Sequence, residues 1–405
     1  MKPWLNVVGI GEDGLGGLSP AARQALDGAE LVAGGTRHLD LAAISGARRL
    51  AWPRPLEAAF PQILARRGTP VCVLASGDPL YFGVGSTLLK SFSVEEIRFF
   101  PGLSSFSLAA ARLGWALQDC ACLSLHGRSL ERLIPPLQPG AHILALSWDQ
   151  TTPGDVAKLL NQRDFGDTRM SICSCMNGPR EDLRSTFAKD FSLSEIDPLN
   201  LIALEIPAGT HGRSVPLTAG LHDDWFEHDG QLTRSDMRAI TLAALRPHQG
   251  ELLWDVGAGS GAIGIEWMLR GPSLRALAIE PRQDRAARIR RNALNLGVPD
   301  LKIIEGAAPQ SLASLPAPDA VFIGGGAGTP GVIEAAWASL KPGGRLVINA
   351  VTLQTQSLLE RHHSTMGGEM LQINLAHAEP LGRFHGWRPA MPIVQWRIIK
   401  DRAGP

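Results

Sequence analysis

The sequence predicts an α/β protein with two domains, each built on a mostly parallel β-sheet. Three observations support this fold class. The chain has 405 residues, and a typical domain has ~100–200. Short apolar runs alternate with helical patterns, which is typical of repeated strand–helix units. Glycine-rich loops follow strong strand candidates in both halves, at Gly9–Gly17 and Gly257–Gly261. Sheets of this kind bind ligands at the carboxyl ends of their strands.

The first half of the chain repeats the order strand, loop, helix. An apolar run at 5–10 predicts the first strand, and Ser19 followed by Pro20 predicts the start of the first helix. Serine caps the free N–H groups of a first turn, and proline fits its first position. Further strands are predicted at 30–33, 49–52, 70–75, 97–100, 121–125, 143–146, 171–175 and 201–206, with helices at 35–45, 56–66 and after 105.

Three loops of this half carry a family pattern. They are the glycine-rich opening loop, the Ser76-Gly77-Asp78-Pro79 loop and the Pro101-Gly102-Leu103-Ser104-Ser105 turn. At these spacings the chain resembles the tetrapyrrole (class III) methyltransferases over residues 3–207. The resemblance implies two α/β subdomains that bind S-adenosylmethionine in the cleft between them. The cofactor contacts it implies are Ser76, Gly77, Asp78, Tyr81, Ser104 and Ser105.

The chain departs from this family at two places. Glu12 stands where the family commonly has proline, and Ser76 stands where it commonly has glycine. Glu12 therefore changes the substrate side of the opening loop. Beyond this region, residues 207–220 contain proline and three glycines without an apolar period, which is typical of a linker. We expect a domain over 1–209 and a second over 210–405.

The second half is organised around Leu252–Met268, which predicts a strand, a tight glycine turn and a helix. Gly259–Gly264 also fits the dinucleotide pattern G-x-G-x-x-G. Asp255, two residues before the first glycine, would repel a pyrophosphate and attract an ammonium group. Glu280 ends the next strand, where a carboxylate accepts ribose hydroxyls. These two carboxylates favour S-adenosylmethionine over NAD.

The remaining elements complete the second domain. Strands are predicted at 252–256, 274–279, 301–304, 319–323, 345–349, 370–376 and 393–399, which form a seven-stranded doubly wound sheet with an antiparallel edge. A helix at 282–296 carries five arginines, and we interpret most of them as a solvated face. Residues between the last two strands, including Arg383 and Arg388, are expected on a loop. The entry helix after Thr233 is expected to cover the site.

The motifs of the second half together resemble the decarboxylating precorrin methyltransferases of cobalamin biosynthesis, which have a Rossmann-like class I fold. The strongest pieces are Asp255–Gly261, Ala278–Glu280, Glu305–Pro309 and Lys341–Leu353. The cofactor contacts indicated in this half are Thr233, Asp255, Gly257, Ala258, Gly259, Ser260, Gly261, Glu280, Gly306 and Ala307. A carboxylate-rich substrate calls for arginines, and the candidates are Arg234, Arg238, Arg383 and Arg388.

The two resemblances together imply an enzyme with two S-adenosylmethionine sites. The substrate would be a precorrin-6 tetrapyrrole that is methylated at C-5 and C-15 and loses its C-12 acetate carboxylate to give precorrin-8. The first domain would methylate C-5, and the second would methylate C-15 and decarboxylate. The alternatives are a methyltransferase for another substrate such as nucleic acid, a non-catalytic S-adenosylmethionine sensor, and an NAD oxidoreductase.

Composition limits the classes of partner that we expect the protein to bind. Lys plus Arg and Asp plus Glu both number 39, so the chain has no overall basic field to gather nucleic acid. No apolar run approaches the ~20 residues of a transmembrane helix, so we expect a cytoplasmic protein without membrane contact. The five cysteines, with spacing Cys120/Cys122 and Cys173/Cys175, do not suggest a disulfide framework. We expect no metal and a homo-oligomer.

Overall fold

The computed structural model describes residues 3–401 and divides into two compact units. Unit 1 consists of the residues up to Leu130 together with Pro136–Arg213. Unit 2 consists of Glu131–Pro135 together with the residues from Ser214 onward. Apart from the short stretch Glu131–Pro135, the chain divides between Arg213 and Ser214. This point lies inside the segment that the sequence predicts to be a linker.

Unit 1 contains two five-stranded sheets. The strands are β1 Leu5–Ile10, β2 Leu31–Gly34, β3 Arg49–Ala51, β4 Val71–Ser76, β5 Ile97–Phe100, β6 Cys120–Ser124, β7 His142–Leu146, β8 Arg169–Ser174, β9 Asp182–Phe187 and β10 Asn200–Glu205. The helices are α1 Pro20–Asp27, α2 Thr36–Leu41, α3 Phe60–Leu64, α4 Gly85–Leu88, α5 Ser105–Leu113 and α6 Thr152–Gln162. The first sheet has the order β3-β2-β4-β1-β5, and the second has the order β6-β7-β10-β8-β9. These sheets are the two α/β subdomains that the sequence predicts.

The first sheet is entirely parallel, so the loops after its strands meet at one edge. The predicted helix start is present, since the Ser19 side chain accepts a hydrogen bond from the Ala22 N–H. β9 was not predicted from the sequence. Its six residues are mostly polar and exposed, and it pairs only with β8 at the edge of the second sheet. An edge strand with little apolar burial leaves a weak sequence signal.

Glycines let the loops after β1, β4 and β5 approach each other closely. A Cβ on Gly9 would overlap the carbonyl oxygen of Gly77 and lie 2.6 Å from the Gly102 nitrogen. The Gly102 N–H donates to that same Gly77 carbonyl at 3.1 Å. Gly77 itself has φ +52°, which side chains rarely adopt. These contacts hold the loop that begins at Ser76 against the turn that leads into α5.

Unit 2 is built on one seven-stranded sheet. The strands of unit 2 are β11 Leu252–Val256, β12 Arg275–Ile279, β13 Lys302–Ile304, β14 Ala320–Ile323, β15 Arg345–Ala350, β16 Glu369–Ile373, β17 Ala376–Leu381, β18 Phe384–Pro389 and β19 Ile393–Ile399. β17 and β18 form a sheet of their own, and the others form the seven-stranded sheet. Its helices are α7 Ser235–Leu245, α8 Ala262–Leu269, α9 Gln283–Asn295, α10 Val332–Ser339 and α11 Leu353–Met366. The sheet order is β13-β12-β11-β14-β15-β19-β16. The predicted seven-stranded sheet is confirmed.

The last part of this sheet is antiparallel. β19 runs antiparallel to both β15 and β16, and it lies between them. The expectation of a loop between these last strands was wrong, because residues 376–389 form the antiparallel hairpin β17–β18. Most residues of the hairpin are exposed on both faces. The sequence therefore lacks the alternating apolar pattern that predicts a strand.

The core of unit 2 lies on the sheet beneath its helices. Trp254, Trp267 and Trp396 are completely buried. The Trp396 indole N–H donates to the Gly367 carbonyl at 2.9 Å, which gives this large side chain a polar partner in the core. No helix among residues 3–401 has the length and apolar character needed to cross a membrane.

We predict that Gly9→Ala lowers the free energy of unfolding of unit 1 by about 3 kcal/mol, because the added methyl group overlaps the Gly77 backbone. Thermal or denaturant unfolding measures this loss. Gly16→Ala is the matched control, since a Cβ on Gly16 meets nothing within 4 Å. Equal stability of the two variants would contradict the close packing of these loops.

Candidate active sites

A cavity of about 770 Å³ opens in unit 2 at the carboxyl ends of the parallel strands. This is the position at which doubly wound sheets bind ligands. The loops after β11, β12, β13 and β14 supply most of one side, and the segment before α7 covers it. The predicted cofactor residues that line the cavity are Thr233, Asp255, Gly257, Ala258, Gly259, Ser260, Glu280, Gly306 and Ala307.

The glycine loop after β11 has the backbone conformation that its glycines permit. Gly257 and Gly259 have φ +71° and +61°. A Cβ on Gly257 would lie 2.6 Å from the Gly325 carbonyl oxygen, so the loops after β11 and β14 are in backbone contact. The prediction for Gly261 needs correction. It does not line the cavity, and a Cβ there would lie 2.7 Å from the Ile289 side chain of α9.

Glu280 is fixed at the tip of β12 by two backbone groups. Its Oε2 accepts the Gly259 N–H at 2.9 Å, and its Oε1 accepts the Arg282 N–H at 3.1 Å. The residue is 2% exposed, so the carboxylate cannot swing away into solvent. Each oxygen retains a further lone pair that can accept a hydroxyl group. The arrangement is suited to a vicinal diol such as a free ribose.

Asp255 is buried at the end of β11 and lines the same cavity. Its Oδ2 accepts the Gly264 N–H at 2.9 Å, which ties β11 to the first turns of α8. Burial, with a smaller contribution from the negative charge of Glu280, raises the pKa of Asp255 to about 7. A cation bound in the cavity would favour the ionised form of this carboxylate.

The segment before α7 is held over the glycine loop by Asn292, a residue that sequence reasoning missed. The buried Asn292 side chain donates to the Ser260 and Glu227 carbonyls, both at 2.9 Å, and accepts the Glu227 N–H at 2.9 Å. Asn292 therefore joins this covering segment to the cofactor loop. An asparagine among helix arginines carries no sequence signal for this role.

The arginines of α9 are not all a solvated face. Arg285 and Arg288 are largely buried and contact the Asp229 carboxylate at 3.0 and 3.1 Å. Arg291 binds Glu227 through two hydrogen bonds of 2.6 and 2.8 Å. These pairs hold the acidic segment 227–229 against α9. Arg282, Arg290 and Arg291 are more than half exposed, so the expectation that most of the five arginines form a solvated face holds, with Arg285 and Arg288 as the exceptions.

The four arginines proposed for substrate carboxylates lie in different places. Arg234 lines the cavity and contacts Asp223 at 3.0 Å. Arg383 and Arg388 belong to the exposed hairpin region outside the cavity lining, and Arg388 contacts Glu379 at 3.0 Å. The position of Arg238 argues against its proposed role.

Arg238 is completely buried and its guanidinium is fully engaged. It contacts Glu266 at 2.7 Å and Asp223 at 2.9 Å, and it donates to the Leu221 and Thr233 carbonyls. A side chain with these four partners is not available to a substrate. We assign Arg238 instead to holding the segment before α7 in place.

Part of the cavity lining is apolar. The side chains that form it are Phe322, Val351, Ile373, Leu375, Met391 and Ile393. Asn349 also lines the cavity, and both ends of its amide are held: it donates to the Thr241 hydroxyl at 3.0 Å and accepts from Gln395 at 2.9 Å. This wall offers a hydrophobic surface to a large planar ligand.

Unit 1 brings its predicted cofactor residues together at one edge of the first sheet. A Cβ on Gly77 would lie 3.0 Å from the Ser104 Cα, so the loops after β4 and β5 are adjacent. Ser104 caps α5 by accepting the Ser107 N–H at 3.1 Å, and Asp78 accepts the Leu80 N–H at 2.8 Å. Tyr81 packs on Phe106 with ring centroids 5.1 Å apart. Ser105 is the first residue of α5.

Ser76 belongs to a polar network that the sequence did not reveal. Its hydroxyl contacts His38 at 2.8 Å and Arg37 at 3.1 Å, and Arg37 pairs with Glu12. Burial and the Arg37 charge lower the pKa of His38 to about 4. Glu12, which departs from the family pattern, is therefore neutralised by an arginine next to the β4 loop.

The described residues hold no group of three or more potential metal ligands, and the five cysteines form no disulfide. Burial raises the pKa of Cys72 and of Cys173 to about 12. Thiols of this kind stay protonated and pack as small apolar side chains.

Comparison with known proteins matches both units to families. A model of tetrapyrrole (corrin/porphyrin) methylases matches residues 5–189, and a model of a precorrin methyltransferase domain matches residues 224–400. A Sinorhizobium protein named precorrin-6Y C(5,15)-methyltransferase [decarboxylating] is 51% identical over 99% of this chain and 97% of its own length. The chain belongs to this family.

Two relatives from Salmonella typhimurium match parts of the chain. A cobalt-precorrin-7 C(5)-methyltransferase is 40% identical over 42% of this chain and 83% of its own length. A cobalt-precorrin-6B C(15)-methyltransferase (decarboxylating) is 32% identical over 40% of this chain and 85% of its own length. The predicted methyltransferase class and the two predicted folds are confirmed by the family matches. Membership of the precorrin-6Y methyltransferase family implies use of S-adenosylmethionine and a precorrin substrate.

The pKa of Asp255 makes a prediction about ligand binding. The group is mostly protonated below pH 7 in the free protein, and a bound ammonium group requires its ionised form. We expect S-adenosylmethionine binding to release a proton near pH 6, and the release to fade as the pH rises above 7. Calorimetry in two buffers of different ionisation enthalpy measures the number of protons released per bound S-adenosylmethionine.

Asp255→Asn should abolish the proton release near pH 6 and weaken binding to unit 2 about tenfold or more, a loss of ~1.4 kcal/mol. Asp284→Asn is the control, because Asp284 is exposed at the start of α9. An unchanged affinity in Asp255→Asn would show that this carboxylate only caps α8.

Proposed function

We propose that the chain is a bifunctional S-adenosylmethionine-dependent methyltransferase of cobalamin biosynthesis, with one reaction in each unit. Unit 1 methylates C-5 of a precorrin-6 intermediate. Unit 2 methylates C-15 and removes the C-12 acetate carboxylate, which gives precorrin-8. The observation that carries this proposal is that each unit has its own glycine-lined edge of strand ends.

The relatives support a division of labour between the units. One named relative acts at C(5) and another acts at C(15) with decarboxylation, and each matches about two-fifths of this chain. The two activities therefore occur in separate proteins of about the size of one unit. We assign residues 1–209 to the first activity and 210–405 to the second.

The lining of the unit 2 cavity fits S-adenosylmethionine. Glu280 offers lone pairs to the ribose hydroxyls, and Asp255 offers a buried carboxylate to the amino group. The loop from Gly257 to Ser260 leaves room for the methionine, because glycines there place no side chain in the cavity. Gly306 and Ala307, after β13, border the space for adenine, and Thr233 closes the site from above.

We propose a second cofactor site in unit 1. Ser76, Gly77 and Asp78 would contact the ribose and methionine, with Tyr81 beside them. Ser104 and Ser105 lie at the start of α5, where free N–H groups favour polar ligands. The proximity of the Gly77 and Ser104 backbones supports this site, since both loops can contact one ligand.

Bound S-adenosylmethionine would supply an electrophilic methyl group on a sulfonium. The task of the protein is then to align the acceptor carbon with that methyl group and to exclude water. The apolar wall of Phe322, Leu375 and Met391 is suited to the tetrapyrrole plane, because it leaves few polar groups for water to bind. Exposed glycine backbone at Gly324–Gly326 leaves space for a bulky substrate.

Arg234 is the best remaining candidate for a substrate carboxylate in unit 2. It lines the cavity, its side chain is 64% exposed, and its partner Asp223 is shared with Arg238. Arg383 and Arg388 would act only at the rim, because neither lines the cavity. Guanidinium groups bind carboxylates through paired hydrogen bonds, which suits a substrate with several acid side chains.

We further propose that the protein is a cytoplasmic homo-oligomer that uses the β17–β18 hairpin as a contact surface. The hairpin exposes Leu381, Phe384 and Trp387, which are 69%, 76% and 77% accessible. An isolated two-stranded ribbon is marginally stable in water, so a partner that covers it would stabilise it. The balanced charge of the chain and its glycine loop after β14 speak against a nucleic-acid substrate.

Mass spectrometry of the product tests the assignment of chemistry to units. The full chain with substrate and S-adenosylmethionine should add two methyl groups and release one carbon dioxide. Gly259→Leu should leave only the C-5 methylation, because a side chain there enters the unit 2 cavity. Ser76→Leu should leave the C-15 methylation and the decarboxylation.

Gly250→Leu is the matched control for Gly259→Leu. Gly250 also has positive φ, at +82°, but it lies outside the cavity with nothing within 4 Å of its Cβ position. Loss of decarboxylation in Ser76→Leu, or its retention in Gly259→Leu, would reverse the assignment of the two reactions.

A further inference from the structure

His377 lies on β17, where the hairpin leaves the seven-stranded sheet, and it lines the unit 2 cavity. Its neighbours in the lining include Leu375, Ala390 and Met391. These residues adjoin β16 and β19, which lie at the end of the sheet away from β12 and β13. The imidazole is therefore on the side of the cavity that we assign to the substrate.

The cavity lining contains five ionisable side chains: Arg234, Asp255, Glu280, Arg285 and His377. The two arginines carry guanidinium groups, which donate hydrogen bonds but accept none. Asp255 and Glu280 are bonded to the glycine loop or α8 on the cofactor side. His377 is the one histidine of the lining, and it lies two residues after the apolar lining residue Leu375.

The charged groups around His377 come from three elements. Asp236 of α7 lies 3.7 Å from the His377 Nε2. Arg388 is the cross-strand partner of His377 on β18, and Glu379, two residues along β17, contacts Arg388 at 3.0 Å. At this distance the Asp236 carboxylate attracts a protonated imidazole without a hydrogen bond, while Glu379 forms an ion pair with Arg388. The His377 side chain is 62% exposed, so solvent can return a proton to it.

The reaction proposed for unit 2 needs a proton donor. The bond between the acetate methylene and its carboxylate breaks, carbon dioxide leaves, and the electron pair passes into the conjugated ring. C-15 then forms a bond to the sulfonium methyl as the bond from sulfur to that methyl breaks. The exocyclic methylene at C-12 must gain a proton to become a methyl group, and C-15 releases one proton to solvent water, which restores conjugation. The overall change is redox neutral.

We propose that His377 is the general acid that protonates the C-12 methylene after loss of carbon dioxide. This role rests on the function proposed above. Imidazolium donates a proton to the carbon and becomes neutral imidazole, and solvent water reprotonates it.

The test uses the full chain with His377→Ala and follows each step separately. We expect formation of the C-15-methylated, decarboxylated product to fall about 100-fold, within the usual range for a lost general acid. S-adenosylmethionine affinity and C-5 methylation should stay at wild-type values. Added imidazole should restore product formation, because the exposed site admits a small acid. In deuterated water the rescued product should carry deuterium in its C-12 methyl group.

His363→Ala is the matched control, since His363 lies in the last turn of α11 in the same unit and does not line the cavity. It should behave as wild type. A wild-type rate in His377→Ala overturns the proposal, and so does a loss that imidazole fails to restore. If the wild-type chain itself neither methylates nor decarboxylates the precorrin, the proposed function fails, and the role of His377 fails with it. If only the variant is impaired and imidazole has no effect, the function stands and His377 is structural.

Discussion

Close backbone contact between neighbouring strand-end loops is the constraint on which both sites depend. In unit 1, Gly9, Gly77 and Gly102 meet without side chains between them. In unit 2, Gly257 and Gly325 do the same. Side chains at these places would push the loops apart, and the ligand edge of each sheet would lose its shape. The glycines therefore determine how closely the loops pack, and the loop packing determines the shape of each site.

The second constraint in unit 2 is electrostatic. Arg238 and Glu266 are buried together, and Glu266 also accepts the backbone N–H groups of Gly220 and Leu221. Burying such charges is costly unless every polar group finds a partner. Here the partners are backbone groups of the segment that leads into α7. The charge pair thus fixes the path of the chain that covers the cavity, and Asn292 continues this connection to the glycine loop.

The sequence predicted the fold well because its strands are short apolar runs with glycine loops after them. The limits of β1, β5, β11 and β19 agree with the structure to the residue. The β17–β18 hairpin could not be predicted, since its residues are exposed on both faces and carry no periodic pattern. Most cofactor candidates of unit 2 line one cavity because consecutive parallel strands end at the same edge. Gly261 and Arg238 were misassigned, because a sequence shows that a glycine or arginine is present but not which neighbour it faces.

The roles of buried polar side chains also could not be predicted from the sequence. Asn292 lies outside recognisable motifs, and its position follows from how α9 packs against the glycine loop. The His38–Ser76 contact likewise joins residues of two different loops. Such residues acquire their roles only when the fold brings distant segments together.

The central claim is that each unit forms its own cofactor site. Titration calorimetry of the full chain with S-adenosylhomocysteine, which binds without reacting, measures the number of sites. We expect two molecules per chain for the wild type and for Gly250→Leu, and one for Gly259→Leu. A stoichiometry of one for the wild type, or loss of both sites in Gly259→Leu, would contradict two independent cofactor sites.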